Sequence, residues 1–205
     1  MKKIIFFAFI ISFTACRNNN ESNPAPTSAP VVAEAPAQTE TKPFIDTLSD
    51  KPGIYKVIEL PEILTLAIKD SGMKEDIGYK MAQNYGAIES DMNELGLSNM
   101  EMPPGAIFYN DNPKNFIFEC IIPINKMPAK NPKNSTVVIL EATRALVFNY
   151  YGPYDKMTNA YAEIKKYMNQ NKLEQGGPVR EFYLSDPTVE KDPSKWLSKI
   201  YVPVK

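Results

Sequence analysis

One carboxylate in this sequence, Glu181, lies among apolar and aromatic residues, a setting that favours the binding of a ligand. Glu181 lies in the run VREFYL at residues 179–184, which is otherwise typical of a β-strand. A carboxylate is costly to bury unless an opposite charge compensates it. Two compensations are open: a protein partner, Arg180 or Arg144, or a cationic ligand. The structural alternative is a strand-edge glutamate that pairs with a lysine or an arginine at the surface.

Aromatic residues concentrate in the second half of the chain and could form the walls of a binding site. They are Phe148, Tyr150, Tyr151, Tyr154, Tyr161, Phe182, Tyr183, Trp196 and Tyr201. Because side chains alternate between the two faces of a strand, we expect Tyr183 to share a face with Glu181. Aromatic walls with one carboxylate suit an amphipathic cation, through cation–π attraction and charge. The predicted ligand-binding residues are Glu181, Tyr183, Tyr109, Tyr150, Phe148 and Trp196.

The composition excludes several functions. The sequence has no histidine, which rules out Ser-His-Asp and Cys-His catalytic units and histidine-ligated metals. It has no glycine-rich phosphate loop and no metal-ligand spacing, so we predict no cofactor and no metal and assign no catalytic residue. The formal net charge of −1 argues against a nucleic-acid partner. Cys120 lies in an apolar run and is predicted to be a buried, inert thiol.

Hydrophobic periodicity places the candidate carboxylate in a strand, helix, strand framework. One strand ends at residue 151, before the turn Gly152-Pro153. A helix is predicted over 154–170, because apolar residues recur three and four positions apart, and the second strand covers 179–184. In the first half, the same reasoning predicts strands at 55–60, 63–68, 106–109 and 115–124 and a helix over 74–95.

The two halves of the chain align with each other. The matched segments are 63–72 with 143–152, 107–113 with 181–187, and 118–123 with 197–203. We therefore predict an α+β fold of two fused strand-helix-strand-strand repeats, about 53–125 and 135–205, related by a pseudo-twofold axis. Antiparallel sheets, one main helix per repeat and a ligand cleft between the repeats are expected. In this alignment Glu181 stands where the first repeat has Ile107. A chance alignment of β-rich sequences is the alternative.

The order of short motifs around this framework resembles a known family. The motifs are YGPY at residues 151–154, EFYLSDP at 181–187 and the closing strand IYVPV at 200–204. Together, with an amphipathic helix between the first two, they resemble the GyrI-like small-molecule-binding domain, also called the AraC-type effector-binding domain. The resemblance covers about 53–205.

The resemblance implies a ligand-facing role for Glu181 and leaves the activity open. Many members of this family follow a DNA-binding helix-turn-helix and act as transcriptional sensors, whereas this chain has a different N-terminal region. Some members of the wider family resemble hydrolases that open strained rings with a glutamate and a tyrosine. Glu181 with Tyr183 or Tyr109 would then supply a general base and an orienting hydroxyl.

The N-terminal region is predicted to export and anchor the chain. Residues 1–16 have a basic start, an apolar run too short to span a bilayer, and Cys16 in a segment that resembles a bacterial lipoprotein box. An ordinary cleaved signal peptide is the alternative. Residues 17–52, rich in Pro, Ala and Asn, are predicted to be a disordered tether. The domain at 53–205 would then face the periplasm from the inner or the outer membrane, a choice that the sequence leaves open.

These observations predict a membrane-tethered protein that binds an amphipathic, cationic organic ligand in an aromatic cleft with one acidic residue. Two alternatives remain: a hydrolase that uses the same cleft, and a structural lipoprotein whose cleft is closed by side chains.

Overall fold

Eight β-strands form one sheet in the part of the chain that the structure, a computed structural model, describes: residues 49–99 and 102–205. The strands are β1 (Gly53–Leu60), β2 (Ile63–Gly72), β3 (Gly105–Phe108), β4 (Phe116–Pro123), β5 (Thr136–Leu140), β6 (Thr143–Tyr151), β7 (Val179–Tyr183) and β8 (Leu197–Pro203). The helices are α1 (Ile77–Leu95) and α2 (Thr158–Gln170).

All neighbouring strands in the sheet are antiparallel, in the order β1-β6-β8-β7-β3-β4-β2-β5. The predicted mixed α+β fold with antiparallel pairing is therefore confirmed. The two halves meet where β3 pairs with β7, so they share one continuous sheet, where the sequence had predicted separate sheets. Strand β5 was not predicted. It is a short outer strand whose β-branched run TVVIL follows a long polar loop.

Both helices pack on the same face of the sheet, each over its own apolar cluster. The residues buried beneath α1 include Leu66, Phe118, Cys120 and Ile122, and those beneath α2 include Leu146, Phe148, Ile200 and Val202. The helices contribute Ile88 and Met92 from α1 and Ile164 and Met168 from α2. These are the apolar positions that the helical spacing predicted. Each helix begins a few residues later than predicted, because a short 3-10 turn precedes it.

A third apolar cluster lies on the opposite face of the sheet and includes Ile107 and Phe182. Because side chains alternate, Glu181 faces the helices, and the strand pairing sets it beside Ala106 instead of Ile107. The alignment of Glu181 with Ile107 is therefore wrong within these strands. The sequence alignment rested on similar residues in the segments that follow β3 and β7. Those segments differ in length, so the alignment does not give the correct correspondence of residues within the strands.

Contact with the sheet begins before β1, within the predicted tether. The side-chain amide of Asn149 donates hydrogen bonds to the carbonyl oxygens of Ser49 (2.5 Å) and Lys51 (2.9 Å). The Asp50 carboxylate lies 2.8 Å from Nζ of Lys199, a fully buried lysine. The signal segment 1–16 with Cys16, and the tether as far as residue 48, lie outside the described residues. No helix among the described residues is long and apolar enough to cross a membrane.

A buried carboxylate on α1 fixes the long loop that leads to β5. Asp91 accepts hydrogen bonds from the backbone amides of Asn134 (2.9 Å) and Ser135 (2.8 Å) and from the Ser135 hydroxyl (2.7 Å). Burial acts to raise the pKa of Asp91, but these hydrogen bonds outweigh it and hold the pKa below the ordinary value of 3.8. The stabilisation from Asp91 is therefore present above about pH 4 and is lost as the pH falls through its folded-state pKa.

Replacement of Asp91 should lower the free energy of unfolding substantially. We expect Asp91→Ala to cost about 2–4 kcal/mol, because several buried donors lose a charged acceptor at once. Glu89→Ala, on the exposed side of the same helix, is the matched control and should change the free energy by less than about 0.5 kcal/mol. Urea unfolding of the three proteins at pH 7 measures both effects. Equal midpoints for Asp91→Ala and wild type would contradict the assignment.

Candidate functional site

Glu181 lies near the middle of the sheet and faces the layer of helices. It sits on β7 between Ala106 of β3 and Ile200 of β8, and its side chain is only 3% exposed. The prediction that Glu181 occupies an interior position is therefore confirmed.

Two tyrosine hydroxyls, and no cationic side chain of the described residues, contact the Glu181 carboxylate. Tyr161 of α2 donates a hydrogen bond to Oε1, and Tyr183 donates one to Oε2 at 2.9 Å. Arg180, a proposed partner, instead donates to the carbonyl oxygen of Glu141 at 3.1 Å. Arg144 is exposed, lies opposite Glu59 of the outer strand β1, and makes no ion pair with Glu181. Neither arginine compensates the carboxylate.

Burial and hydrogen bonding have opposite effects on the pKa of the Glu181 carboxyl. Burial raises the pKa of Glu181 from the ordinary value of 4.5 to about 6, although the hydrogen bonds from Tyr161 and Tyr183 act in the opposite direction. Burial also raises the pKa of Tyr161 and of Tyr183 far above the ordinary value of 10, with a further contribution from the charge of Glu181. Both hydroxyls therefore remain protonated and act as donors.

A series of aromatic rings connects the carboxylate to the protein surface. The ring of Tyr154 lies 5.2 Å from that of Tyr183, edge to face, and 5.2 Å from that of Trp196. Tyr154 is 37% exposed, and its hydroxyl donates to the carbonyl oxygen of Ser185 at 3.3 Å. The indole N–H of Trp196 donates to the carbonyl oxygen of Glu190 at 2.8 Å. These rings form the outer wall of the site.

Helix α1 contributes a further tyrosine on the other side. The Tyr85 hydroxyl donates to the carbonyl oxygen of Gly105 at 2.7 Å, one residue from Ala106. Burial raises the pKa of Tyr85, and the nearby Cys120 and Glu181 add to the rise. Tyr85 and Tyr161 therefore approach the centre of the sheet from the two helices, with Glu181 between them.

The Cys120 thiol next to Tyr85 is not a nucleophile. It is fully buried, and burial raises its pKa to about 12, so the reactive thiolate does not form near neutral pH. No group of three His, Cys, Asp or Glu side chains in residues 49–99 and 102–205 is arranged to hold a metal ion.

Three of the predicted ligand-binding residues lie away from Glu181. Tyr109 points to the opposite face of the sheet, where its hydroxyl donates to Glu119 at 2.5 Å and Nζ of Lys69 lies 3.8 Å from its ring centre. Phe148 is buried beneath α2, and the Tyr150 hydroxyl donates to the carbonyl oxygen of Pro153 at 3.0 Å. Phe148 and Tyr150 line a separate cleft of about 330 Å³ at the β1–β6 edge, which does not include Glu181.

The structure joins Tyr183 and Trp196 to Glu181 and adds residues that the sequence did not assign to the site. Tyr161 and Tyr85 had been placed on the core-facing stripes of their helices, and Tyr154 next to a turn. The sequence does contain an indication that Tyr161 and Tyr85 belong to the site. Each is the hydroxyl-bearing residue on an otherwise apolar helix face, and a buried hydroxyl needs a hydrogen-bond partner.

The fold thus sets a buried carboxylate and a group of aromatic rings between an antiparallel sheet and two helices. The chain belongs to the family described as the GyrI-like small molecule binding domain, which matches residues 55–205. No curated protein matches the chain.

Several solved structures share this fold at low sequence identity. The C-terminal domain of EcmrR is 21% identical with a TM-score of 0.65, over 73% of this chain and 95% of that one. In the EcmrR–DNA complex the chain covers 56% of the EcmrR chain, so it spans little more than half of that protein. A hydrolase from Listeria innocua is 15% identical with a TM-score of 0.57, over 79% and 96%. SAV2435 bound to tetraphenylphosphonium is 18% identical with a TM-score of 0.54, over 74% and 93%.

The raised pKa of Glu181 predicts how stability depends on pH. Since the folded protein binds this proton more tightly than the unfolded chain does, the contribution of Glu181 to stability falls as the pH rises from 4.5 to above 6. The rise from 4.5 to about 6 corresponds to about 2 kcal/mol. We therefore expect Glu181→Gln to match wild type at pH 4 and to be more stable by about 2 kcal/mol at pH 7.

The measurement is the difference in unfolding free energy between the two proteins across this pH range. Carboxylates such as Asp91, whose stabilisation is lost at low pH, titrate in both proteins and cancel in the difference. Glu89→Gln, at an exposed position of α1, is the matched control. A constant difference between Glu181→Gln and wild type from pH 4 to pH 7 would show that Glu181 is not buried as a charge.

Proposed function

We propose that this domain binds an amphipathic organic cation at Glu181. One observation carries the proposal: a carboxylate that is 3% exposed is surrounded by tyrosine rings, with no cationic side chain of the described residues in contact with it. A buried charge without an opposite charge destabilises the protein, and a cationic ligand removes that cost on binding.

The surroundings of Glu181 favour a ligand that is both charged and apolar. In a site with little water, the attraction between a carboxylate and a cation is much stronger than at the surface. The faces of Tyr154, Tyr183 and Trp196 offer cation–π contacts and apolar area to the rest of the ligand. SAV2435, which shares the fold, has been solved with tetraphenylphosphonium, a cation of this kind. That likeness supports the ligand class proposed here.

Ligand access requires the tyrosines to move. Tyr161 and Tyr183 cover both carboxylate oxygens, so a cation that contacts Glu181 must displace at least one hydroxyl. Tyr154 is the natural point of access, because it is partly exposed and is packed against Tyr183. Rotation of these rings opens the site without movement of the strands.

The proposal includes a duplicated architecture. Counted from its two edges, the sheet runs β1-β6-β8-β7 and β5-β2-β4-β3, so each strand of one half takes the place of its counterpart in the other. The helices also correspond, since Tyr85, Ile88 and Met92 each precede Tyr161, Ile164 and Met168 by 76 residues. Both features support two repeats related by a pseudo-twofold axis, with the ligand site at their junction.

We further propose that the domain is held at a bacterial membrane through a lipid on Cys16. The motif around Cys16 and the composition of residues 17–48 support this proposal. The domain would then sample ligands in the periplasm.

A hydrolytic activity is the second candidate, and one observation favours it. A carboxylate with a pKa near 6 beside two phenolic donors could act as a general base close to neutral pH. One solved structure that shares the fold is a hydrolase from Listeria innocua. Incubation of the pure protein with bound ligands, followed by mass spectrometry of the products, separates turnover from binding. A product that forms with wild type and not with Glu181→Gln would favour the enzyme.

Removal of the charge at Glu181 should weaken cation binding selectively. We expect Glu181→Gln to reduce affinity for tetraphenylphosphonium by about 1.5–3 kcal/mol, which is roughly 10- to 150-fold, because the coulombic attraction between the buried carboxylate and the cation is lost. Affinity for triphenylphosphine oxide, a neutral molecule of similar shape, should change much less. Isothermal titration calorimetry at pH 7.5 measures both.

Glu119→Gln is the matched control for this experiment. Glu119 is also a buried carboxylate, but it lies on the opposite face of the sheet and is bonded to Tyr109. Its replacement should leave the affinity for tetraphenylphosphonium unchanged. Equal affinity for the phosphonium in wild type and Glu181→Gln would sink the site assignment.

Lipidation at Cys16 should determine where the protein is found. We expect the wild-type chain to fractionate with membranes and Cys16→Ser to accumulate as an unprocessed precursor. Cys120→Ser, which alters the buried cysteine of the folded domain, should leave membrane fractionation unchanged. A mature N-terminus at another residue, found by mass spectrometry, would remove the proposal of a lipid anchor.

A further inference from the structure

Ser198 is a buried hydroxyl close to the carboxylate that lacks a hydrogen-bond partner. The residue is fully buried, and its Oγ makes no hydrogen bond in the part of the chain that the structure describes. Buried polar groups are nearly always paired, because an unpaired one lowers stability. An unpaired hydroxyl beside a ligand site points to a partner that arrives with the ligand.

Strand pairing sets Ser198 on the same face of the sheet as Glu181. On β8, Ser198 pairs with Tyr183 of β7 on one side and with Tyr150 of β6 on the other. Ile200, two residues further along, pairs with Glu181 and packs beneath α2. Diagonal neighbours on adjacent strands lie about 7–8 Å apart. Ser198 and Glu181 are therefore spaced to contact two groups of one small molecule.

The polar groups near Ser198 are already engaged elsewhere. The Tyr150 hydroxyl donates to the carbonyl oxygen of Pro153, and that of Tyr183 donates to Glu181. Tyr154, which packs on Tyr183, donates to a backbone carbonyl as well. None of them forms a hydrogen bond with Oγ of Ser198 in the described residues. A group of the ligand can therefore supply the partner that Ser198 lacks.

We propose that the ligand of this site is an organic cation that also carries a hydrogen-bonding substituent, a hydroxyl or an amine, which pairs with Ser198 while the positive charge meets Glu181. The inference rests on the proposed function and narrows its ligand class. Displacement of Tyr183 by the ligand uncovers both Glu181 and Ser198, because Tyr183 bonds to the first and pairs across the strands with the second. A purely apolar cation satisfies Glu181 and leaves Ser198 unpaired.

The test compares one cation with and without a hydroxyl. The probes are tetraphenylphosphonium and three isomers that carry a hydroxymethyl group at the ortho, meta or para position of one ring. We expect at least one isomer to bind wild type about 5- to 10-fold more tightly than the parent, the gain from one hydrogen bond. Ser198→Ala should abolish that gain and leave the affinity for the parent unchanged. Ser71→Ala, on an exposed position of β2, is the matched control and should keep the gain.

The outcomes separate this inference from the function on which it rests. If the parent cation binds and Glu181→Gln weakens it, the proposed function stands. Should every isomer then show the same affinity ratio to the parent in wild type and in Ser198→Ala, the role of Ser198 is overturned. If Glu181→Gln leaves the affinity of all four probes unchanged, the proposed function itself fails. Thermal melts of each variant without ligand confirm that the proteins compared are folded.

Discussion

Glu181 is an ionisable group held inside the protein without a counter-charge among the described residues. Transfer of a carboxylate from water into a protein interior costs several kcal/mol. At Glu181 two phenolic donors recover part of that cost, which is why the pKa rises only to about 6. Neutral donors stabilise the charge less than an arginine would, so the carboxylate retains its attraction for a cation. A buried ion pair at this position would be more stable and could not bind such a ligand.

Two tyrosines also tie the helices to the sheet near Glu181. Tyr161 fixes α2 to the Glu181 side chain, and Tyr85 fixes α1 to the backbone of Gly105, on the neighbouring strand β3. Each helix is thus tied through a phenol to the junction of β3 and β7, where the two halves of the sheet meet. The two hydrogen bonds differ in one respect. A cation that binds Glu181 would compete with the hydrogen bond from Tyr161, whereas the hydrogen bond from Tyr85 to Gly105 would remain. Under the proposed function, ligand binding would therefore act on α2 more than on α1.

Much of the fold could be predicted from the sequence, because it follows from local periodicity. Ile164 and Met168 are buried where the helical spacing placed them, and Gly152-Pro153 ends β6 as expected. The burial of Glu181 also followed from its neighbours. The residues around Glu181 could not be predicted in the same way. The contact between Tyr161 and Glu181 depends on how α2 packs across β7, and hydrophobic periodicity carries no information about that tertiary arrangement. Tyr109 shows the same limit: one residue beyond β3, it falls on the other face of the sheet and bonds to Glu119.

The junction of β3 and β7 also limits how many carboxylates can lie side by side on the face that carries the helices. A Cβ atom at Gly105 would lie 2.3 Å from the carbonyl oxygen of Glu181, so the close approach of the two strands requires glycine there. The next residue, Ala106, faces Glu181 directly. A second carboxylate at Ala106 would place two like charges side by side, which would raise the pKa of one of them and remove its charge near neutral pH. A single acid opposite an alanine avoids that repulsion.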